Sequence, residues 1–455
     1  MSAVKAHDLW SSRGTFLLAA IGAAVGLGNI WKFPYMAGAN GGSAFVLVYL
    51  LSIAVVALPI LIAEISLGRM GRQSPPHAVS IVARKFRKSP LWSIIGWLGM
   101  LAAYLIATYY SVIAGWTMIY VYRSGTDHFD SMDADAINHS FNDLLADPLQ
   151  LTAWHGVFML ITAMILTRGL KRGIERAVTV MMPVLFILLL VMVGYSAIEG
   201  DMKAGLHFLF DFELSAITGE VVLMAIGQAF FSIGVAMGLM LGFGAYLPDD
   251  VSIARSAGII VTADTLVALI AGIAIFPIVF SNGLDPSEGP GLVFISLPIA
   301  FLQMPGGLLF GTLFFLLLFF AALTSAIGVL EPTVAWVEET TDWSRKLSAS
   351  VVCLSIFVLG LGTVFSFNLW SGWYPLGFLE RFSESSYFDV LDYMTANIMM
   401  PLCGLLLALF AGWILPRKVL AEQAGLPSKG LFNTWYFLLR WIAPISIVGI
   451  FYSNL

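Results

Sequence analysis

The sequence predicts an all-α integral membrane protein of about eleven transmembrane helices, built as two inverted five-helix repeats and one additional C-terminal helix. Three observations carry this expectation. Hydrophobic residues fill 59% of the 455 positions and charged residues 11%, more apolar surface than a water-soluble fold can bury. Apolar stretches of about twenty residues, each long enough to cross roughly 30 Å of hydrocarbon as a helix, recur along almost the whole chain. Two of these stretches, the first and the sixth, carry glycines and polar groups where an uninterrupted membrane helix would carry leucine.

Taken in order, the spans are expected at 11–37, 43–70, 90–122, 151–168, 174–198, 217–246, 252–281, 305–337, 347–367, 388–415 and 432–453. Arg69, Arg72, Arg84, Lys85, Arg87 and Lys88 follow the second span, and Arg168, Lys171, Arg172 and Arg176 the fourth. Arg345 and Lys346 follow the eighth, Arg417 and Lys418 the tenth. An excess of basic residues marks cytoplasmic connections, so the N-terminus is expected in the cytoplasm and the C-terminus outside. The segment 126–148 holds six aspartates and no lysine or arginine, which suits the outer face. Breaks in the first and sixth spans divide the chain into repeats at 11–198 and 217–415 with a further helix at 432–453. Five is odd, so the second repeat must run inverted relative to the first, the layout of alternating-access carriers. Gly173 and Pro183 at the start of the fifth span weaken its hydrogen bonding, so that end is expected either to unwind and admit water or to form an ordinary kink.

Other classes are disfavoured. A net charge of −5 gives no reason to expect nucleic acid as a partner. Cys353 and Cys403 lie within apolar segments, so no disulfide framework is expected. No cleavage site follows a short apolar core at the N-terminus, which points to a retained first span. The six histidines fall in loops or near span ends, leaving no in-membrane metal cluster or haem pair, and an enzyme is not expected.

The chemistry concentrates at the interruptions. In Ile21-Gly22-Ala23-Ala24-Val25-Gly26-Leu27-Gly28-Asn29-Ile30-Trp31-Lys32-Phe33-Pro34, three glycines each disfavour helix by roughly 1 kcal/mol relative to alanine. The competing reading is a small-residue packing face. The second interruption, Gly227-Gln228-Ala229-Phe230-Phe231-Ser232-Ile233-Gly234-Val235-Ala236-Met237-Gly238, favours a break, because paired broken helices point to a carrier's binding site. Ionisable groups within apolar spans are functional candidates by default; here they are Lys32, Glu64, Asp264, Glu331 and Asp392. Asn29, Ser232 and Asp264 offer oxygen ligands suited to a hard cation. Thr324 and Ser325, after Ala321-Ala322-Leu323, form a second oxygen cluster or merely bond the preceding helical turn.

These stretches, with Asn40-Gly41-Gly42, Tyr109-Tyr110 and Gly115-Trp116-Thr117, resemble the neurotransmitter:sodium symporter family, in particular its bacterial amino-acid-transporting members of the LeuT type, over 10–346. The resemblance implies a first sodium site at Ala24, Asn29, Ser232 and Asp264, completed by the substrate carboxylate, and a second at Gly22, Val25, Ala321, Thr324 and Ser325. It implies that the Tyr110 hydroxyl meets that carboxylate beside the amides of Leu27 and Gly28. The substrate site would comprise Ala24, Gly26, Leu27, Gly28, Ile106, Tyr110, Phe231, Ser232, Gly234, Met237, Ser325 and Val329, apolar enough to suit a hydrophobic side chain. Gly26 stands where monoamine transporters carry aspartate, which favours a substrate bringing its own carboxylate. Asp264 stands where chloride-dependent relatives have asparagine, and Ala268 replaces a serine, so chloride independence is expected. Lys32 and Asp392 match the outer gate, with lysine for the usual arginine and hence without the bidentate fork. Trp10, Tyr246 and Glu339 match the inner gate, where His7 replaces an arginine.

The function these implications support is sodium-coupled symport of neutral, hydrophobic L-amino acids with two sodium ions and no chloride, in a bacterial-type inner membrane, by a monomer or weak homodimer. A β- or γ-amino acid or small amine as substrate, a proton in place of one sodium, and a channel or non-transporting sensor stand as alternatives.

Overall fold

The structure is a computed structural model and describes residues 9–126, 128–129, 132–287 and 291–454. These residues form helices and connecting turns without a strand. Nine helices among them are long and apolar enough to cross a membrane: Ser43–Gly71, Pro90–Gly125, Pro148–Leu166, Leu170–Glu199, Ile253–Ser281, Gly307–Thr340, Arg345–Ser366, Tyr387–Ile414 and Lys429–Tyr452. A tenth span is the pair Arg13–Ala24 and Gly28–Ala39, bent by 48° at its break. The eleventh is the sixth in order, Gly219–Ile233 followed by Leu239–Ala245. Each half is too short to register as a span by length, which is the signature of an interrupted helix. Every expected span is present, with ends displaced by a few residues.

Between the spans lie helices that hydropathy did not mark: Pro75–Lys85, Ala134–Ala146, Met202–Phe210, Leu292–Gln303 and Arg417–Ala424. All are too short to span; Leu292–Gln303 is apolar throughout, and others expose one polar face in an amphipathic pattern. The two broken spans sit at the centre of the bundle. The eighth span, Gly307–Thr340, is buried along most of its length and packs against both the third and the first. Lipid-facing leucine, isoleucine and valine side chains stand out on the fourth, fifth and ninth spans instead.

The fifth span departs from the unwound expectation. Gly173 lies in a widened turn, Leu170–Glu175, and Pro183 sits inside a continuous helix, Arg176–Glu199. A Cβ at Gly173 would stand 2.2 Å from the Ile165 carbonyl oxygen, so this glycine permits close packing of the fourth and fifth spans in a wound conformation.

Candidate functional site

The break in the first span is held open by side chains that take the backbone's hydrogen bonds. The Gly26 amide donates to Asn29 Oδ1 (3.1 Å) and the Leu27 amide to the Tyr110 hydroxyl (3.3 Å). In a continuous helix those amides would close onto the carbonyls of Gly22 and Ala23. The Ala23 carbonyl instead accepts from Ser325 Oγ (3.0 Å), and the Gly22 carbonyl loses its donor beside Thr324, whose Cβ lies 3.4 Å from where a Gly22 Cβ would be. Thr324 Oγ1 donates to the carbonyls of Phe320 (2.9 Å) and Ala321 (3.1 Å). The residues expected to form the second cation site thus converge where the first and eighth spans cross.

In the sixth span the helix is interrupted through Gly234, Ala236 and Gly238, with φ of +68°, +66° and +70°. Glycine reaches this region without a Cβ penalty, and alanine does so at a cost. The compensation comes from Glu64 of the second span, fully buried, whose Oε2 accepts from the Ala236 amide (3.0 Å), while the amides of Gly238, Met240 and Leu241 also face it. The Glu64 carboxyl group therefore takes up the Ala236 amide freed by the unwinding. Gln228 ties the two breaks together by donating from Nε2 to the Gly28 carbonyl (2.8 Å).

Asn29, Ser232 and Asp264 form one buried cluster. Asn29 Nδ2 donates to Asp264 Oδ1 (2.8 Å), to the Asp264 carbonyl (3.1 Å) and to Ser232 Oγ (2.9 Å), and Ser232 Oγ donates to Asp264 Oδ2 (2.7 Å). The Tyr49 hydroxyl completes the cluster, 3.0 Å from Ser232 Oγ. All four residues are at most 1% exposed. Among the described residues no basic side chain pairs with Asp264, so a buried carboxylate is met by neutral donors alone, an arrangement that a small cation would complete. Ala24, the remaining expected member, ends the first half-helix and lines the central cavity.

Next to the cluster is a closed cavity. Ala24, Gly26, Gly28, Ile106, Tyr110, Phe231, Gly234, Met237, Ser325 and Val329 line it as expected, joined by Ser111, Met159 and Leu239. Leu27 and Ser232 depart from the expected lining. Leu27 is buried and reaches the site only through its amide, and Ser232 points into the Asp264 cluster. The cavity measures about 30 Å³ and a vestibule above it about 790 Å³. On the scale where a water needs roughly 10–15 Å³, the centre is contracted and the vestibule open. Phe231 lines both and is the partition between them, with Lys32 Nζ 4.1 Å from its ring centre.

Lys32 and Asp392 both line the vestibule but are not within ion-pair distance of each other. Asp392 Oδ1 instead accepts from the Tyr109 hydroxyl (3.1 Å). Arg381, which no sequence signal singled out, lines the same space. The opposite side is shut. The Trp10 amide donates to the Tyr246 carbonyl and Trp10 Nε1 to that of Phe243, both at 3.2 Å, and the Trp10 ring packs on Phe16, Phe243 and Tyr246. The Tyr246 hydroxyl donates to Glu331 (3.2 Å), which Arg345 holds together with Glu338. Glu339 accepts from the Ser74 amide and His77 Nδ1, each at 2.7 Å. His7 lies outside the described residues. Glu331 is thus a paired member of the closed side.

Broken helices meeting at a small central site, open to a vestibule on one side and sealed on the other, define a carrier. The family model of the sodium:neurotransmitter symporter family matches residues 7–143 and 126–407, and the chain belongs to that family, one of sodium-dependent transporters and not of enzymes. It is 36% identical over 97% of its length to an uncharacterized sodium-dependent transporter, YhdH, of Bacillus subtilis, covering 96% of that protein. It is 32% identical to an uncharacterized sodium-dependent transporter of Haemophilus influenzae, over 99% of both chains. Among solved structures it is similar to MhsT in complex with L-phenylalanine, with a TM-score of 0.89 and 38% identity over 99% of this chain and 100% of that one. The LeuT-type fold of inverted five-helix repeats with broken first and sixth spans follows.

Proposed function

We propose that this protein is a sodium-coupled symporter of neutral, hydrophobic L-amino acids that takes two sodium ions per substrate and needs no chloride. The observation that carries the proposal is the fully buried Asp264, without a basic partner among the described residues, beside an apolar cavity that ends at the amides of the broken first span. The substrate carboxylate is assigned to the Tyr110 hydroxyl and the amides of Leu27 and Gly28, where helix-end donors favour an anion. One sodium is assigned to Ala24, Asn29, Ser232 and Asp264, and would touch the same carboxylate. The second is assigned to Gly22, Val25, Ala321, Thr324 and Ser325, where Gly22 packs beside Thr324. Met237 and Phe231 must change rotamer to enlarge the contracted cavity, which suits the flexible methionine in particular.

The cycle follows as alternating access. Sodium and substrate enter through the vestibule, Phe231 closes over them with Lys32 and Asp392 drawing together, and the contacts of Trp10, Tyr246 and Glu339 then release. In this reading the Trp10 side faces the cytoplasm of a bacterial inner membrane, the repeats span 11–198 and 217–415, the C-terminus lies outside, and a monomer or weak homodimer carries the function. Opening of the fifth span between Gly173 and Pro183 would admit water to the second sodium site. The MhsT–phenylalanine complex supports a large hydrophobic substrate by analogy.

The test is equilibrium binding to the purified protein. Coupling is reciprocal, so sodium must tighten binding of labelled phenylalanine, leucine or tryptophan, and each of these must tighten sodium binding by the same factor. Affinities independent of sodium would refute the shared-carboxylate site.

A further inference from the structure

We propose that the protein carries a binding site for the phosphate of an anionic phospholipid, formed by Arg417 and Arg440 where the tenth and eleventh spans meet. Arg440 lies within the apolar helix Lys429–Tyr452, level with Trp413 near the end of the tenth span, where a charged side chain against apolar neighbours is costly unless it is satisfied. Its guanidinium rests against three aromatic rings, Trp413 (4.1 Å from Cζ to ring centre), Trp441 (5.8 Å) and Tyr436 (5.9 Å). Among the described residues it has no carboxylate partner, and its buried Nε makes no hydrogen bond. Arg417 approaches the same Tyr436 ring (5.0 Å) and that of Phe432 (5.4 Å), and among the described residues bonds only the side-chain oxygen of Asn433. Two guanidinium groups therefore flank one ring with donors to spare.

The scaffold under them is fixed. Trp413 Nε1 donates to the Arg440 carbonyl (2.9 Å) and the Tyr436 hydroxyl to the Gly412 carbonyl (2.8 Å). A Cβ at Gly412 would stand 3.1 Å from Arg440 Cα, so glycine lets the two spans cross closely here. Side chains on a helix lean toward its N-terminus, which aims Arg440 back toward Tyr436 and Arg417, on the side that the basic-residue bias assigns to the cytoplasm. Trp413 and Trp441 are 43% and 44% exposed on the outer surface of the bundle, the position of tryptophans at a headgroup boundary. Between Trp413 and Trp441 the chain has Arg417, Lys418, Lys429 and Arg440 against one acid, Glu422. Planar guanidinium groups with free donors match a phosphate in two-point fashion, and a basic pocket between spans is where anionic headgroups dock.

The experiment uses the full-length protein in nanodiscs of phosphatidylglycerol and phosphatidylcholine at equal mole fraction, with the lipids retained after gentle extraction counted by native mass spectrometry. Wild type should retain phosphatidylglycerol preferentially. Arg417→Gln and Arg440→Gln should each lose about 5-fold of that preference, which corresponds to roughly 1 kcal/mol per basic residue, and the double variant nearly all of it. Arg440→Lys should fall between Arg440→Gln and wild type. Sodium-dependent amino-acid binding by each variant reports folding, and Arg417→Gln, on the exposed edge, gives the reading if Arg440→Gln does not fold. Equal retention of both lipids by wild type would overturn the proposal. So would displacement of the retained lipid by millimolar inorganic phosphate, which would make the occupant a free anion. A dimer that forms in pure phosphatidylcholine and is lost on substituting Arg440 would overturn it in favour of a second copy of the chain.

Discussion

Replacing Asp264 with asparagine removes one charge and almost no volume. In the structure its two oxygens accept from Asn29 Nδ2 (2.8 Å) and Ser232 Oγ (2.7 Å), and the whole cluster is buried. Asparagine keeps one acceptor for Asn29, and its amide can donate to Ser232 Oγ, which then turns its own proton toward Tyr49. The local shape survives. What is lost is the attraction of the carboxylate for a cation at the same site, about 4 kcal/mol for unit charges 4 Å apart at an effective dielectric near 20. Part of that returns because the neutral side chain need not be desolvated. A net loss of roughly 2–4 kcal/mol corresponds to sodium affinity about 30- to 1,000-fold weaker. A mobile anion entering beside the substituted amide would restore part of the lost charge, so the variant should show sodium dependence that improves with chloride, and wild type should be indifferent to it. The assay is substrate binding titrated with sodium, once in chloride and once in gluconate. An Asp264→Asn protein with wild-type sodium dependence in both media would refute the role given to this carboxylate.

Gly26→Ala should raise the substrate KM by roughly 5- to 100-fold, the equivalent of about 1–3 kcal/mol of overpacking, because the new Cβ would stand 2.9 Å from both Ser325 Oγ and the Tyr110 hydroxyl; unchanged uptake kinetics would contradict the cavity as drawn. Tyr110→Phe removes the partner of the Leu27 amide and the hydroxyl assigned to the substrate carboxylate, and should weaken substrate binding by at least 10-fold, equivalent to about 1.5–3 kcal/mol for a hydrogen bond to a charged group, at a cost in stability of about 1–3 kcal/mol for the orphaned amide. Glu64→Gln should lower the melting temperature and slow transport at every sodium concentration, since the sixth-span break loses the charge that faces its freed Ala236 amide. Lys32→Gln frees Phe231 of its overlying cation and leaves Asp392 without a gate partner, so bound substrate should dissociate faster toward the vestibule in a chase experiment.

Much of this architecture is legible in the amino-acid sequence. Period and length place the spans, glycine clusters place the breaks, and the rarity of polar groups in apolar segments makes Asn29, Ser232 and Asp264 conspicuous; the fold brings these three together across 235 positions of chain. What is not legible depends on how helices cross. Nothing in the sequence marks Tyr49 as the neighbour of Ser232, or Gln228 as the donor to the Gly28 carbonyl. Glu64 is visible as a buried acid, but its role as holder of amides near Ala236 needs the second and sixth spans to be adjacent. The short helices escape because segments of about ten residues are too short to read as spans, whether amphipathic or apolar like Leu292–Gln303. Lys32 and Asp392 share the vestibule without pairing, a matter of conformation that residue identities do not encode.

The most direct test of the account is uptake of labelled amino acids into proteoliposomes holding the purified protein, with an inward sodium gradient compared with potassium, and chloride with gluconate. Accumulation of phenylalanine, leucine, methionine, tyrosine or tryptophan above equilibrium, dependent on sodium and indifferent to chloride, is the expected result. Substrate that binds without crossing the sealed membrane, ion current far exceeding substrate flux, or accumulation that ignores sodium would contradict sodium-coupled symport through this site.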